Sequence, residues 1–259
     1  MSLGDNYPRL DQLARNEGNR SLEDLAWAPS NAGPWLDLQH ACALAVRQYP
    51  RLEIVADQLS YLATLEEFLR QFNEAEAPRR DVWRKISVAG KESEFLNTVS
   101  EAALAIQFRS LGSQIVLERP FDPTARRTSK NADIVITNRD GSLTWLDAIS
   151  AQKQPKERSR EETLALFVKI AAGKYDAKFR DAVDRGLVDD VGVLVCIVKN
   201  EDLIEPFLTE RSVPDPPSSF WRENPKLSRV AFHTLYKGQG GTDVLAPALF
   251  ALWKRPLGA

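Results

Sequence analysis

Apolar residues in the first 90 positions recur at helical spacing. Trp35, Leu36, Leu38, Ala41, Leu44 and Ala45 lie three and four apart between Pro34 and Gln48, which predicts a helix. Pro50 then stands near the start of a second helix, where its missing N–H costs little. In that helix Val55, Leu59, Leu62, Leu65, Leu69 and Phe72 form one stripe, a packing face, and Ala77-Pro78-Arg79-Arg80 ends it. Residues 1–90 are thus expected to form a helical N-terminal region.

From about residue 91 the pattern changes. Glu92 to Leu111 reads as a long amphipathic helix closed by Gly112. Gln114 to Arg119 is a short strand candidate, and a hairpin follows over 132–151. A charged loop from Lys153 to Arg160 leads into a helix from Glu161 to Arg185, ending at Gly186. Val191 to Val198 is a continuous apolar run, as expected of a strand covered on both faces. Asp202 to Thr209 reads as a short helix, Arg229 to Tyr236 as a strand, and Ala246 to Lys254 as a last helix. The expected fold is α/β, an αβββαβ core with a mixed central sheet over residues 91–259, with C-terminal additions.

The hairpin is the most informative segment. A three-residue loop, Arg139-Asp140-Gly141, with Gly141 left-handed, is a favoured connection. Counting outward, Thr137 faces Leu143, Val135 faces Trp145, and Asp133 faces Asp147. Directly opposed residues have Cβ atoms about 4.5–5.5 Å apart, and like charges there destabilise a sheet. Asp133 and Asp147 are flanked by Ala132, Ile134, Leu146 and Ala148. Adjacent carboxylates in apolar surroundings resist ionisation unless something compensates. A hard divalent cation is one such compensation. Exposure at a sheet edge, or bonds to nearby backbone, is the plain alternative.

Composition changes this picture little. The chain is 43% hydrophobic and 27% charged with a formal charge of −2, an ordinary globular balance. Its distribution is more telling. Residues 119–160 hold nine Lys/Arg against five Asp/Glu, a surplus of four around the hairpin. Arg126, Arg127, Lys130, Lys156, Arg158 and Arg160 are the candidates for holding phosphates. Cys42 and Cys196 exclude a cysteine-rich zinc site, and His40 and His233 give little support to a histidine-based one. The glycine-rich Lys237 to Thr242 lacks the Gly-Lys-Ser/Thr ending of a phosphate loop. The polar N-terminus carries no secretory pattern, and no apolar run reaches the ~20 residues of a membrane helix. A cytoplasmic location is the expectation.

The order and spacing of these elements resemble the PD-(D/E)xK nuclease superfamily, whose fold is restriction-endonuclease-like and includes Holliday-junction resolvases. Glu101 in Val99-Ser100-Glu101-Ala102 resembles the helix glutamate of that superfamily. Asp133 in Asn131-Ala132-Asp133 resembles the motif aspartate, with alanine in place of proline. Asp147-Ala148-Ile149-Ser150 resembles the (D/E)xK tripeptide and the serine that often follows it. The resemblance covers about residues 92–200. It implies metal-dependent hydrolysis of nucleic-acid phosphodiesters, with DNA ahead of RNA, and Mg²⁺ or Mn²⁺ on Glu101, Asp133 and Asp147.

One residue departs from the pattern: Ile149 stands where the motif lysine would be. Lys153 has the same parity as Asp147, but six residues along a strand span about 20 Å. It reaches the site only if the chain bends after Ala151. Lys130, or Lys169 and Lys174 on the following helix, are other sources, since some superfamily members take the lysine from another element. Two functions stay open. One is a nuclease with a relocated or missing lysine, degenerate or non-standard. The other is a non-catalytic nucleic-acid- or protein-binding adaptor that docks a partner through its N-terminal helices.

Overall fold

The computed structural model describes residues 2–28, 37–47, 52–88, 92–124, 130–151, 159–198, 207, 213–237 and 243–256. It is mixed α/β and divides into two compact units. The first holds residues 1–107 and 236–246, the second 108–235 and 247–259.

The first unit is mainly helical: α1 (Leu3–Asn6), α2 (Pro8–Gly18), α3 (Leu22–Trp27), α4 (Leu38–Arg47), α5 (Leu52–Gln71), α6 (Arg79–Ile86) and most of α7 (Glu92–Ser110). Local chemistry sets the starts of these helices. Ser2 with Asp5 and Ser21 with Asp24 form capping boxes. Glu66 on α5 accepts from the backbone N–H groups of Arg9 and Leu10, both at 2.9 Å, at the opening turn of α2. A carboxylate there satisfies orphan donors and meets the positive end of the helix dipole. Leu62, Leu65, Leu69 and Phe72 are buried, as the stripe requires. Pro78 differs from expectation: it caps the start of α6 rather than ending a helix, because a proline beside the first turn gives up no hydrogen bond.

The second unit is built on a six-stranded open sheet: β1 (Gln114–Pro120), β2 (Asn131–Thr137), β3 (Leu143–Ala151), β4 (Val191–Ile197), β5 (Leu227–Lys237) and β6 (Leu245–Lys254). Sheet order follows chain order. β1, β2 and β3 are antiparallel neighbours, whereas β4 runs parallel to β3 and β5 parallel to β4. Between β3 and β4 the chain crosses over through α8 (Arg160–Lys178) and α9 (Arg180–Asp184). The expected helix over 161–185 is therefore two helices, parted at Phe179, whose side chain is fully buried. Later, α10 (Ser218–Glu223) precedes β5.

Strand β4 is buried at every position, as its apolar run implies. A Cβ built at Gly192 would sit 2.7 Å from Leu146 Cδ2 and 2.9 Å from Arg229 Cγ, so glycine makes room between the flanking strands. The expected helix over 246–254 is instead strand β6. Pro247 is accommodated because β6 is the outermost strand of the sheet, where proline is tolerated. The expected helix over 202–209 lies outside the described residues except for Phe207.

The sheet face toward α8 carries one buried cluster. Phe167, Ala171 and Tyr175 recur every four residues on α8 and belong to one buried cluster with Val193, Val195, Val230 and Phe232. Phe232 lies between Phe167 and Trp253, with ring centroids 4.7 Å away on each side. Phe232→Ala is expected to destabilise the protein by about 3–5 kcal/mol, through lost transfer energy and the cavity left behind. Urea denaturation checks this, and a loss below about 1 kcal/mol would mean that the cluster repacks.

Candidate active site

The hairpin forms largely in the expected register. Asn138 N–H donates to Ser142 O at 2.8 Å, Gly141 takes φ +83°, and Thr137 and Val135 face Leu143 and Trp145. The ladder ends, however, at Ile134 opposite Leu146. Asp133 and Asp147 do not form the next backbone pair. Instead, Asp133 Oδ2 accepts from the Ala148 backbone N–H at 2.8 Å. The β1–β2 ladder also lapses here. Leu117 pairs with Ile134 and Arg119 with Ala132, while the intervening Glu118 adopts φ +48°. A non-glycine residue in the left-handed region is uncommon and strained. Both ladders thus open around Asp133, and carboxylate oxygens of Glu118 and Asp133 lie within 4.8 Å of each other.

Side chains on alternate strand positions share a face. Asp133 follows Val135 to the α8 side of the sheet, and Asp147 follows Trp145 and Ile149. There α8 brings two ammonium groups. Lys174 Nζ is 2.6 Å from Asp147 Oδ2, and Lys178 Nζ is 3.0 Å from Asp147 Oδ1 and 3.3 Å from Asp133 Oδ1. Lys174 and Lys178 are one helical turn apart, which sets both over the same carboxylates. Asp147 is wholly enclosed, and neither of its oxygens meets a donor aligned as a hydrogen bond.

The electrostatics follow from that enclosure. Burial raises the Asp147 pKa, repulsion from Asp133 adds to the rise, and Lys174 and Lys178 oppose it; the result is pushed up to about 7. Burial works against the charge on Lys178, but Asp133 and Asp147 more than offset it and hold the ammonium protonated above the ordinary lysine range.

Of the other residues that the sequence singles out, Glu101 sits on α7 in the first unit, where Lys85 Nζ lies 2.8 Å from its Oε2. Lys130 donates to the Ala177 carbonyl near the end of α8. Arg160 opens α8 with its guanidinium 5.5 Å from the Phe207 ring centroid. Lys169 is exposed on α8. Arg126, Arg127, Lys153, Lys156 and Arg158 lie outside the described residues. Sequence reasoning named Lys174 as a substitute lysine but missed Lys178 and Glu118. The four-residue spacing from Lys174 was the available signal for Lys178; nothing in the sequence marked Glu118. No family model matches the chain, and neither a curated protein nor a solved structure does.

The raised Asp147 pKa makes stability depend on pH in a definite direction. Between its unfolded value of about 3.9 and its folded value of about 7, the folded state keeps a proton that the unfolded chain has lost. Stability therefore falls as pH rises through that window. Asp147→Asn removes this dependence. Measured in EDTA, the stability of the variant relative to the parent should rise by on the order of 4 kcal/mol between about pH 4 and pH 8. A flat difference in denaturation midpoints would mean that Asp147 titrates as an ordinary carboxylate.

Proposed function

We propose that this protein is a metal-dependent phosphodiesterase of the PD-(D/E)xK type, acting on nucleic acid, with its lysine supplied by α8 rather than β3. The order α7-β1-β2-β3-α8-β4, with β1 to β3 antiparallel and β4 parallel to β3, suits the restriction-endonuclease-like core that the resemblance implies. The observation that carries the reading is Lys178, whose ammonium group contacts both Asp133 and Asp147. A charge that Ile149 cannot supply thus comes from the neighbouring helix.

The donor set fits a hard cation. Asp133 and Asp147 offer carboxylate oxygens, and a cation entering there would take the place of the ammonium groups that now meet them. These two residues would hold Mg²⁺ or Mn²⁺. When bound, such an ion supplies Lewis-acid polarisation of a phosphoryl oxygen. The chain's own contribution is fixed positive charge in a largely enclosed setting. Lys178, held protonated by the carboxylates, acts as a charge and not as a base near neutral pH. Lys174 and Lys178 together suit a phosphodiester anion and the charge that builds on it as water adds.

A second reading rests on the same cluster. Two ammonium groups and two carboxylates balance formally, so the lysines already compensate the buried pair without a metal. That arrangement suits a non-catalytic adaptor in which the ion cluster only joins α8 to the sheet. It predicts no Mn²⁺ binding by calorimetry.

Incubation with linear, supercoiled and branched DNA, and with RNA, in Mg²⁺ or Mn²⁺ tests the catalytic reading. Cleavage is expected, with a loss of about 10²-fold or more in Asp133→Ala and in Lys178→Met. Cleavage that persists in both variants would remove the site assignment. Absence of both cleavage and Mn²⁺ binding would leave the adaptor.

A further inference from the structure

Beside the ion cluster, between α8 and β3, lies an open groove of about 320 Å³. Ile149, Leu166 and Ile170 give it apolar walls, and Gly173 and Ala177 leave it open on the helix side. Lys174 lines the groove while its ammonium group meets Asp147, and Lys169 adds a second cation. The volume is at the lower end of those that take small organic groups, about 300–1,000 Å³. A Cβ built at Gly173 would meet no atom within 4 Å, so a larger side chain there has room to enter the groove. Gly173 also has no positive φ, so no backbone conformation requires glycine at this position.

We propose that this groove receives an unpaired nucleobase whose adjoining phosphate meets the exposed Lys169, an assignment that rests on the nucleic-acid reading above. Apolar walls beside ammonium groups complement a flat ring joined to an anion. The walls offer van der Waals contact to the faces of a base and almost no hydrogen-bonding groups to its edges. The site therefore favours single-stranded or locally opened nucleic acid and is tolerant of sequence. A paired base presents only its edges, and its faces become available only after unstacking. Ile149 thereby gains a role: a lysine there would put a charge into the wall that the base must touch.

The test compares two labelled strands of equal length, an oligothymidylate and its abasic counterpart, by fluorescence anisotropy in EDTA. The full-length protein should bind the thymine strand about tenfold more tightly than the abasic one. Gly173→Leu fills the groove from an exposed helical position where leucine is the better helix former. In that variant the ratio should fall to about one or two. Ala177→Leu, which fills the other end, should lower it in the same direction, so the test does not depend on a single variant. A ratio of one in the parent protein, with measurable binding of both strands, overturns the groove and leaves the nucleic-acid reading intact. A tenfold ratio that survives both substitutions overturns it as well. Failure to bind either strand overturns the groove and leaves the nucleic-acid reading to the metal-dependent cleavage test above.

Discussion

Burying Asp133 and Asp147 side by side is the constraint to which the second unit answers. Two like charges taken out of water repel and lose hydration, at a cost of several kcal/mol each unless opposite charge is brought close. Lys174 and Lys178 bring that charge, and they come from a single helix. Helix α8 must therefore cross the sheet where both ammonium groups reach the carboxylates. Phe167, Ala171 and Tyr175 on its core-facing side give it an apolar footing there. Packing and electrostatics specify the same placement, which is the agreement between levels that a well-defined fold requires.

The strands yield to the same constraint. Asp133 lies where both neighbouring ladders lapse, opposite Glu118 on one side and Asp147 on the other. The freed Asp133 carboxylate takes the Ala148 N–H, so a backbone donor in the buried part of the sheet is still satisfied. Glu118 absorbs the irregularity with a left-handed backbone. Strain of this kind is commonly stored at functional sites, and here it borders the carboxylate pair.

Much of the fold was legible along the chain because its signals are local. The turn at Arg139-Asp140-Gly141 sets the hairpin register, so Val135 and Trp145 could be paired by counting. The unbroken apolar run of β4 announced a strand covered on both faces. The last strand misled because Ala246 to Lys254 has helix-forming composition, and only the edge position in the sheet overrides that preference. The site was half legible. Asp133 and Asp147 could be placed on one face by parity, but the residue that joins them could not. Lys178 is separated from Asp133 by 45 residues and meets it only through the crossing of α8 over the sheet.

Ile149 shows where the two kinds of information part. The sequence alone determined that the strand position two residues beyond Asp147 carries no charge, because side-chain parity is a property of the strand itself. It also determined that two carboxylates approach each other across a tight turn. Tertiary structure decided what compensates them, since charge can arrive from any element that packs nearby, and packing is non-local. It also decided what the isoleucine does. With Ile170 on the facing helix it walls an open groove, which brings together residues too far apart in the chain for any local pattern to reveal.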